Sequence, residues 1–262
     1  MSETRFKDRV AIVTGGGAGI GRAIVDEWVA GGGKAVICDM DLAVAEQAVA
    51  EVEAAGGQAL ALRVDVTDAE AVAGIVPATK ERFGGVDALF NVAGNNMMKT
   101  VEEATEDEWY FIVDTNLMSC YRCSHHVVPA LRERGGGVII NVASTAGILA
   151  ENRCSAYSAA KAAIINLSKN MAMDFCKDNI RVNTLCPGGT MTPRIRGYLS
   201  KFPEHEKMMT EVCPMGRMAE PWEMARPAVF LASDDASFIT GSMLVVDGGM
   251  TAGKHFALFD QI

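Results

Sequence analysis

Tyr157 and Lys161 occupy the ends of Tyr-Ser-Ala-Ala-Lys, so a helix over 157–176 sets a phenol and an ammonium side by side on one face. A free phenol titrates near ~10 and is a poor base at neutral pH. A cation held close favours the phenolate, which would let Tyr157 accept or return an alcohol proton. The same spacing also fits a plain surface Tyr–Lys pair. Ser144 follows a run read as a strand over 138–143, where it can hydrogen-bond the oxygen that exchanges that proton. Asn116, on the long helical stretch within 105–132, can hold a proton-relaying water or can be an ordinary helical Asn.

A second group suits phosphate. Thr14-Gly-Gly-Gly-Ala-Gly-Ile-Gly21 runs directly out of an apolar stretch over 10–14. Gly15, Gly17, Gly19 and Gly21 remove side chains where the backbone must turn and approach a ligand. The helix that starts there, with Ile20 in its first turn, offers free N–H groups and a positive dipole end to a pyrophosphate. Asp39 ends the second strand, followed by Met40. A carboxylate there can accept from both ribose hydroxyls and repel a 2′-phosphate, which points to NAD. Its structural alternative is a helix N-cap. Asp65 ends the third strand and can hold an adenine amino group or cap a turn, and Asn91-Val-Ala-Gly94 ends the fourth with small residues under a flat ring.

These groups need a scaffold that brings strand ends together. Strands are expected at 10–14, 35–38, 59–64, 88–92, 138–143, 181–185 and 243–246, with helices at 19–30, 41–54, 68–82, within 105–132, at 157–176 and near 223–232. Pro227 should kink or delay the last of these. The alternation implies an α/β single domain with a doubly wound parallel sheet of Rossmann type and helices on both faces. Residues 189–218, with Pro193, Pro203 and Pro214, read as an irregular, mobile substrate lid.

Composition removes other classes. The chain has 262 residues, 49% hydrophobic and 22% charged, with a net charge of −9, a balance that disfavours nucleic acid and anionic membrane surfaces. Residues 1–9 are too charged for a secretory signal. No apolar run approaches the ~18 residues of a membrane span, so a cytoplasmic setting is expected. Seven cysteines are scattered. Cys120 and Cys123 form the one C-x-x-C, but share a helical face and have no second pair to complete a zinc site, so no metal is expected.

Taken together the residues closely resemble the classical short-chain dehydrogenase/reductase family, from Val10 to Gly249. The matching pieces are the Thr14–Gly21 turn, Asp65-Val-Thr-Asp68, Asn91-Val-Ala-Gly94, Asn116, Ser144, Tyr157 with Lys161, Pro187-Gly188 followed by Thr192, and Asp247-Gly-Gly249. The resemblance implies that Tyr157 is the general acid/base and that Ser144 orients the reacting oxygen. Lys161 would assist Tyr157 and bind the nicotinamide ribose, and Asn116 would sustain a water relay. Asp39 would select NAD, Asp65 and Val66 would flank adenine, and Thr192 would meet the nicotinamide amide. Ala93, Gly94, Pro187, Gly188 and Thr190 would complete the cofactor site. Two departures stand out: Val92 in place of a frequent second Asn, and Thr190 in place of an aliphatic residue.

Substrate-facing candidates follow from the same geometry: Asn95 and Asn96, then Asn152 and Arg153 beside Glu151, and Gly189 in the lid. Their donors and acceptors suit a small polar secondary alcohol such as a sugar, polyol or hydroxy acid. Arg153, Arg194 and Arg196 either clamp an anion or are ordinary loop charges. Six methionines near these loops read mainly as packing. The resemblance implies a homotetramer, and the apolar tail within 250–262 is expected to pack or meet a neighbouring subunit. The rival readings are a 3-oxoacyl thioester reductase of the same fold and a catalytically silent nucleotide sensor.

Overall fold

A computed structural model describes residues 5–253; the tail at 255–262 and the role expected of it lie outside the described residues. Seven strands, β1 (Val10–Thr14), β2 (Lys34–Asp39), β3 (Gln58–Arg63), β4 (Ala88–Asn91), β5 (Gly137–Val142), β6 (Ile180–Pro187) and β7 (Met243–Val246), join in the order β3-β2-β1-β4-β5-β6-β7. Every neighbouring pair is parallel. The helices are α1 (Gly19–Ala30), α2 (Leu42–Ala54), α3 (Ala69–Phe83), α4 (Glu106–Val113), α5 (Ser119–Glu133), α6 (Ser155–Phe175), α7 (Pro193–Leu199), α8 (His205–Glu211) and α9 (Pro221–Ala232).

Period-two alternation explains the layers. On β1, Ala11 and Val13 bury against residues of α1, α2 and α9. Val10 and Ile12 face the other way, onto α3, α5 and α6. Both faces are thus apolar, as parallel strands covered on two sides require. Each Val or Ile so withdrawn from water stabilises the fold by about 1.5–3 kcal/mol. Trp28 anchors one layer, with its ring stacked on Phe6 at 4.0 Å. No helix among the described residues is long and apolar enough to cross a membrane.

The order reverses between β1 and β4: β2 and β3 lie on one side of β1, and the chain then crosses to the other. A crevice opens at such a switch point, outside the carboxyl ends of the strands. Asp41 caps α2, accepting from the Ala43 N–H at 3.0 Å, and Asp68 caps α3, accepting from Glu70 at 2.9 Å. The capping role weighed for Asp39 therefore belongs to Asp41.

Three expectations about elements need correction. The helix containing Pro227 does not start late: it begins at Pro221, with Pro227 inside it. Burial of Met224, Ala225, Ala228 and Val229 in the core shared with α1 outweighs the lost N–H bond, worth about 3 kcal/mol. Residues 189–218 are not irregular throughout, since they fold into α7, begun by Pro193 on a Thr192 N-cap, and α8. The stretch within 105–132 is not one α-helix: a π-helical turn, Asp114–Met118, joins α4 to α5.

Cys120 and Cys123 are both 2% exposed within packed clusters. Burial pushes their thiols up to about 11 and about 12, respectively. On the folded protein near pH ~8, iodoacetamide should alkylate the exposed Cys176 and spare this pair, because the thiolate is the nucleophile. Peptide mapping that finds Cys120 or Cys123 modified as fast as Cys176 would contradict their role as packing.

Candidate active site

Two cavities meet at the switch point. One, of about 500 Å³, is bordered by Gly15, Gly19, Ile20 and Gly21 of the turn, Asp39 and Met40 after β2, Asp65 and Val66 after β3, and Ala93 and Gly94 after β4. The turn works because two of its residues lack a side chain. Gly15 adopts φ +63°, and a Cβ on Gly21 would come 2.1 Å from the Gly15 carbonyl oxygen. The Thr14 hydroxyl accepts from the Val92 and Ala93 N–H groups at 3.0 and 3.2 Å, which ties β1 to the loop after β4.

Asp39 is held from two sides. Its carboxylate accepts from the Gly17 N–H at 3.1 Å and from the Asp41 N–H at 3.2 Å. Gly17 does not border the cavity; its backbone instead fixes the Asp39 carboxylate, and a Cβ there would come 2.9 Å from that carboxylate. Asp65 has two engagements. It borders the cavity and also closes a local turn, accepting from the Thr67 N–H at 2.9 Å and hydroxyl at 2.7 Å. Those bonds hold its carboxyl below the usual range.

Asn91 does not turn toward the crevice. Its side chain is 3% exposed and donates to the Asn141 amide oxygen at 2.8 Å, while Asn141 donates to Ser168 at 2.9 Å. This buried chain of polar groups links β4, β5 and α6. The Asn91 side chain is thus structural, and only the backbone of Asn91-Val-Ala-Gly94 is left to face a flat ring at the end of β4.

The second cavity, of about 560 Å³, gathers Asn116, Ser144, Tyr157 and Lys161. Asn116 sits in the π turn, a rare local widening that is frequent at functional sites. Its amide nitrogen donates to the Asn95 and Ile112 carbonyls, both at 2.8 Å. Its buried Oδ1 has no partner and points at Gly94, where a Cβ would lie 2.6 Å away. Ser144 follows β5 and its hydroxyl accepts from the Ala146 N–H at 3.1 Å. Tyr157 lies in the first turn of α6. One turn on, Lys161 is 4% exposed, donates to the Val142 carbonyl at 2.9 Å, and holds its ammonium 5.5 Å from the Tyr157 ring centre. A phenol, a hydroxyl and a buried cation thus share one wall, an arrangement able to move a proton at an oxygen.

Pro187, Gly188, Gly189 and Thr190 border this second cavity, and Thr192 borders both. Asn95, Asn96 and Asn152 also border the second cavity, and Asn95 borders the first as well. Arg153 does not: it adopts φ +61° and pairs with Glu103 at 2.9 Å outside the cavity. The exposed guanidinium is engaged by Glu103, so the cavity lining lends no support to the substrate contact expected of it. Arg196 is likewise engaged, with Glu220 at 2.7 Å. Arg194 borders both cavities and donates to Asn95 Oδ1 at 2.8 Å.

Some lining residues were not singled out in the sequence, although Cys154 and Met218 fall in stretches expected to face the substrate. Phe111 and Thr115 enter the first cavity from α4 and the π turn, and Met218, Met250 and Cys154 enter the second. Their adjacency to Asn116, the lid and Tyr157 was the available signal. Of the six methionines read as packing, Met98, Met208 and Met209 border the second cavity.

The model for the family described as enoyl-(acyl carrier protein) reductase matches residues 15–251. Cyclohexanol dehydrogenase of Acinetobacter sp. (strain SE19) is 36% identical over 253 residues, covering 96% of this chain and 98% of that protein. Two solved structures are similar throughout. L-sorbose reductase of Gluconobacter frateurii, complexed with NADPH and L-sorbose, has a TM-score of 0.91 and 33% identity, covering 97% of this chain and 100% of that one. A 7α-hydroxysteroid dehydrogenase complexed with NADH and 7-oxo glycochenodeoxycholic acid has a TM-score of 0.89 and 33% identity, covering 94% and 96%. With its doubly wound parallel sheet and the polar groups gathered at its switch point, the chain belongs to the short-chain dehydrogenase/reductase family of oxidoreductases.

Proposed function

We propose that the protein interconverts a small polar secondary alcohol and its carbonyl using NAD, with Tyr157 as general acid/base. The observation that carries this reading is the convergence of Ser144, Tyr157 and buried Lys161 on one cavity that adjoins the Asp39-flanked crevice. The crevice suits a dinucleotide. Gly15, Gly21 and Gly94 leave no Cβ where the backbones approach, and the Asp39 carboxylate is oriented by two N–H groups at its rim. The first cavity would take the adenosine and pyrophosphate along the turn, Asp39, Asp65 and Val66, and Thr192 and Gly188 would flank the nicotinamide.

A nicotinamide held beside Thr192 and Gly188 would supply the acceptor for the hydride of the carbinol carbon. Ser144 donates a hydrogen bond to the substrate oxygen and orients it. Tyr157 takes the hydroxyl proton as the carbonyl forms. The Lys161 ammonium, fixed by the Val142 carbonyl, stabilises the negative charge that develops on the phenol oxygen. The orphaned Asn116 Oδ1 supplies an acceptor for a water that carries the proton onward. In the reverse direction Tyr157 returns the proton.

Residues 189–218, folded as α7 and α8 beside the second cavity, act as the substrate lid. A homotetramer is the expected assembly, supported by the family resemblance, and the scattered cysteines support a reduced, cytoplasmic setting. The test is initial-rate turnover of a panel of sugars, polyols, hydroxy acids and hydrophobic alcohols, read by nicotinamide absorbance with NAD or NADP supplied. NAD-linked oxidation of polar secondary alcohols is expected. No alcohol oxidation, or reduction of a 3-oxoacyl thioester with NADPH in its place, would overturn the reading.

A further inference from the structure

We infer that Glu151 sets substrate class: its carboxylate accepts a hydrogen bond from a hydroxyl remote from the reacting carbinol and repels anions, so neutral polyhydroxy compounds are taken and hydroxy acids refused. The inference rests on the alcohol-oxidising reading above and narrows it.

Glu151 borders the same cavity as Ser144 and Tyr157, and its position is fixed. Cys154, 3% exposed, donates its N–H to the Glu151 carbonyl at 3.3 Å and forms a parallel bridge with Lys99 of the loop after β4. Ser155 adds a hydroxyl bond to the Lys99 carbonyl at 3.3 Å. The turn carrying Glu151 is thereby stitched to the loop that carries Asn95 and Asn96.

The charges around it decide the sign. Arg153 is spent on Glu103 and Arg196 on Glu220. Arg194 lies on Asn95, at the side shared with the cofactor crevice. Among the described residues no cation forms an ion pair with Glu151; the same cavity is lined by the amides of Asn96 and Asn152, the thioethers of Met208 and Met209, and Lys161, whose ammonium is bonded to the Val142 carbonyl. Burial pushes its carboxyl above the ordinary value, and the Cys154 thiol bond offsets this only in part. A substrate hydroxyl would replace the water that the carboxylate has lost, whereas a second carboxylate would meet it without compensation. Two carboxylates ~6 Å apart at an effective dielectric near ~20 repel enough for roughly 10²-fold discrimination.

The experiment compares kcat/KM with NAD for the positional isomers of cyclohexanediol and of hydroxycyclohexanecarboxylate, taken as a ratio within each enzyme so that any general loss cancels. Wild type should favour the diols by roughly 10². In Glu151→Gln the ratio should fall at least ~10-fold, through KM for the acids, while Glu151→Asp, which keeps the charge, should retain most of it. An unchanged ratio in Glu151→Gln, with alcohols still oxidised, would overturn this inference alone. So would a wild-type preference for the acids, which would assign anion binding to Arg194. Absence of oxidation of every alcohol would instead overturn the parent reading, and this one with it.

Discussion

Tyr157→Phe should lower kcat/KM for alcohol oxidation by between ~10² and ~10⁴, the span typical of losing a positioned general acid/base, while leaving NADH affinity within about twofold. The substitution removes one oxygen and keeps the ring. Lys161 would remain buried on the Val142 carbonyl at 2.9 Å, and the close seat of the Ser144–Gly147 segment against α6 would be untouched. Without the phenol, the hydroxyl proton has no acceptor in the wall formed by Ser144, Tyr157 and Lys161. Steady-state kinetics together with NADH fluorescence titration separate the two quantities. A variant that retained turnover would remove Tyr157 from the chemistry, and one that lost NADH binding as well would make its role structural.

Asp39→Ala is expected to lower the ratio of kcat/KM with NAD to that with NADP by roughly 10². A charge-assisted hydrogen bond contributes about 1.5–3 kcal/mol, and each ~1.4 kcal/mol is a factor of ten. Two effects act together. The variant loses the carboxylate that would accept from the ribose hydroxyls, and it removes the negative charge facing a 2′-phosphate. It also frees the Gly17 N–H, now bonded to Asp39 at 3.1 Å, to serve an incoming phosphate. Initial rates with both cofactors at saturating alcohol measure the shift. An unchanged ratio would show that selection lies elsewhere on the crevice rim.

The scaffold was legible wherever burial and period coincide. The apolar run of β1 and the helical run of α1 have the bounds expected, because a Gly-rich turn and flanking polar residues punctuate them. Tyr157 and Lys161 were legible because helical spacing alone makes them neighbours. Other features are invisible to periodicity. The π turn at Asn116 widens an otherwise helical pattern by one residue, and only the backbone hydrogen bonding of the folded chain reveals it. Asn91 lies on a strand buried on both faces, so alternation gives no sign of which side carries its amide; the partners Asn141 and Ser168 come from elements far along the chain. Arg153 reads as a cavity residue from its place between Ser144 and Tyr157, yet in the fold its guanidinium is engaged by Glu103. At Pro227 tertiary packing overrides a local rule, as packing of α9 on α1 allows.

The substrate end was the least legible, since its walls come from three separated loops whose side-chain directions are set by contacts between them. The sequence offered three arginines for an anion; the fold pairs two of them elsewhere and leaves a carboxylate, Glu151, in the cavity.

The central claim is hydride transfer from a carbinol carbon to NAD at the Tyr157 wall. It is tested most directly by supplying NAD with a cyclohexanediol deuterated at its carbinol carbons and reading the reduced nicotinamide by mass spectrometry. The account predicts that each reduced nicotinamide carries one deuterium from the substrate. Reduced cofactor without the label, or a substrate left unoxidised, would contradict it.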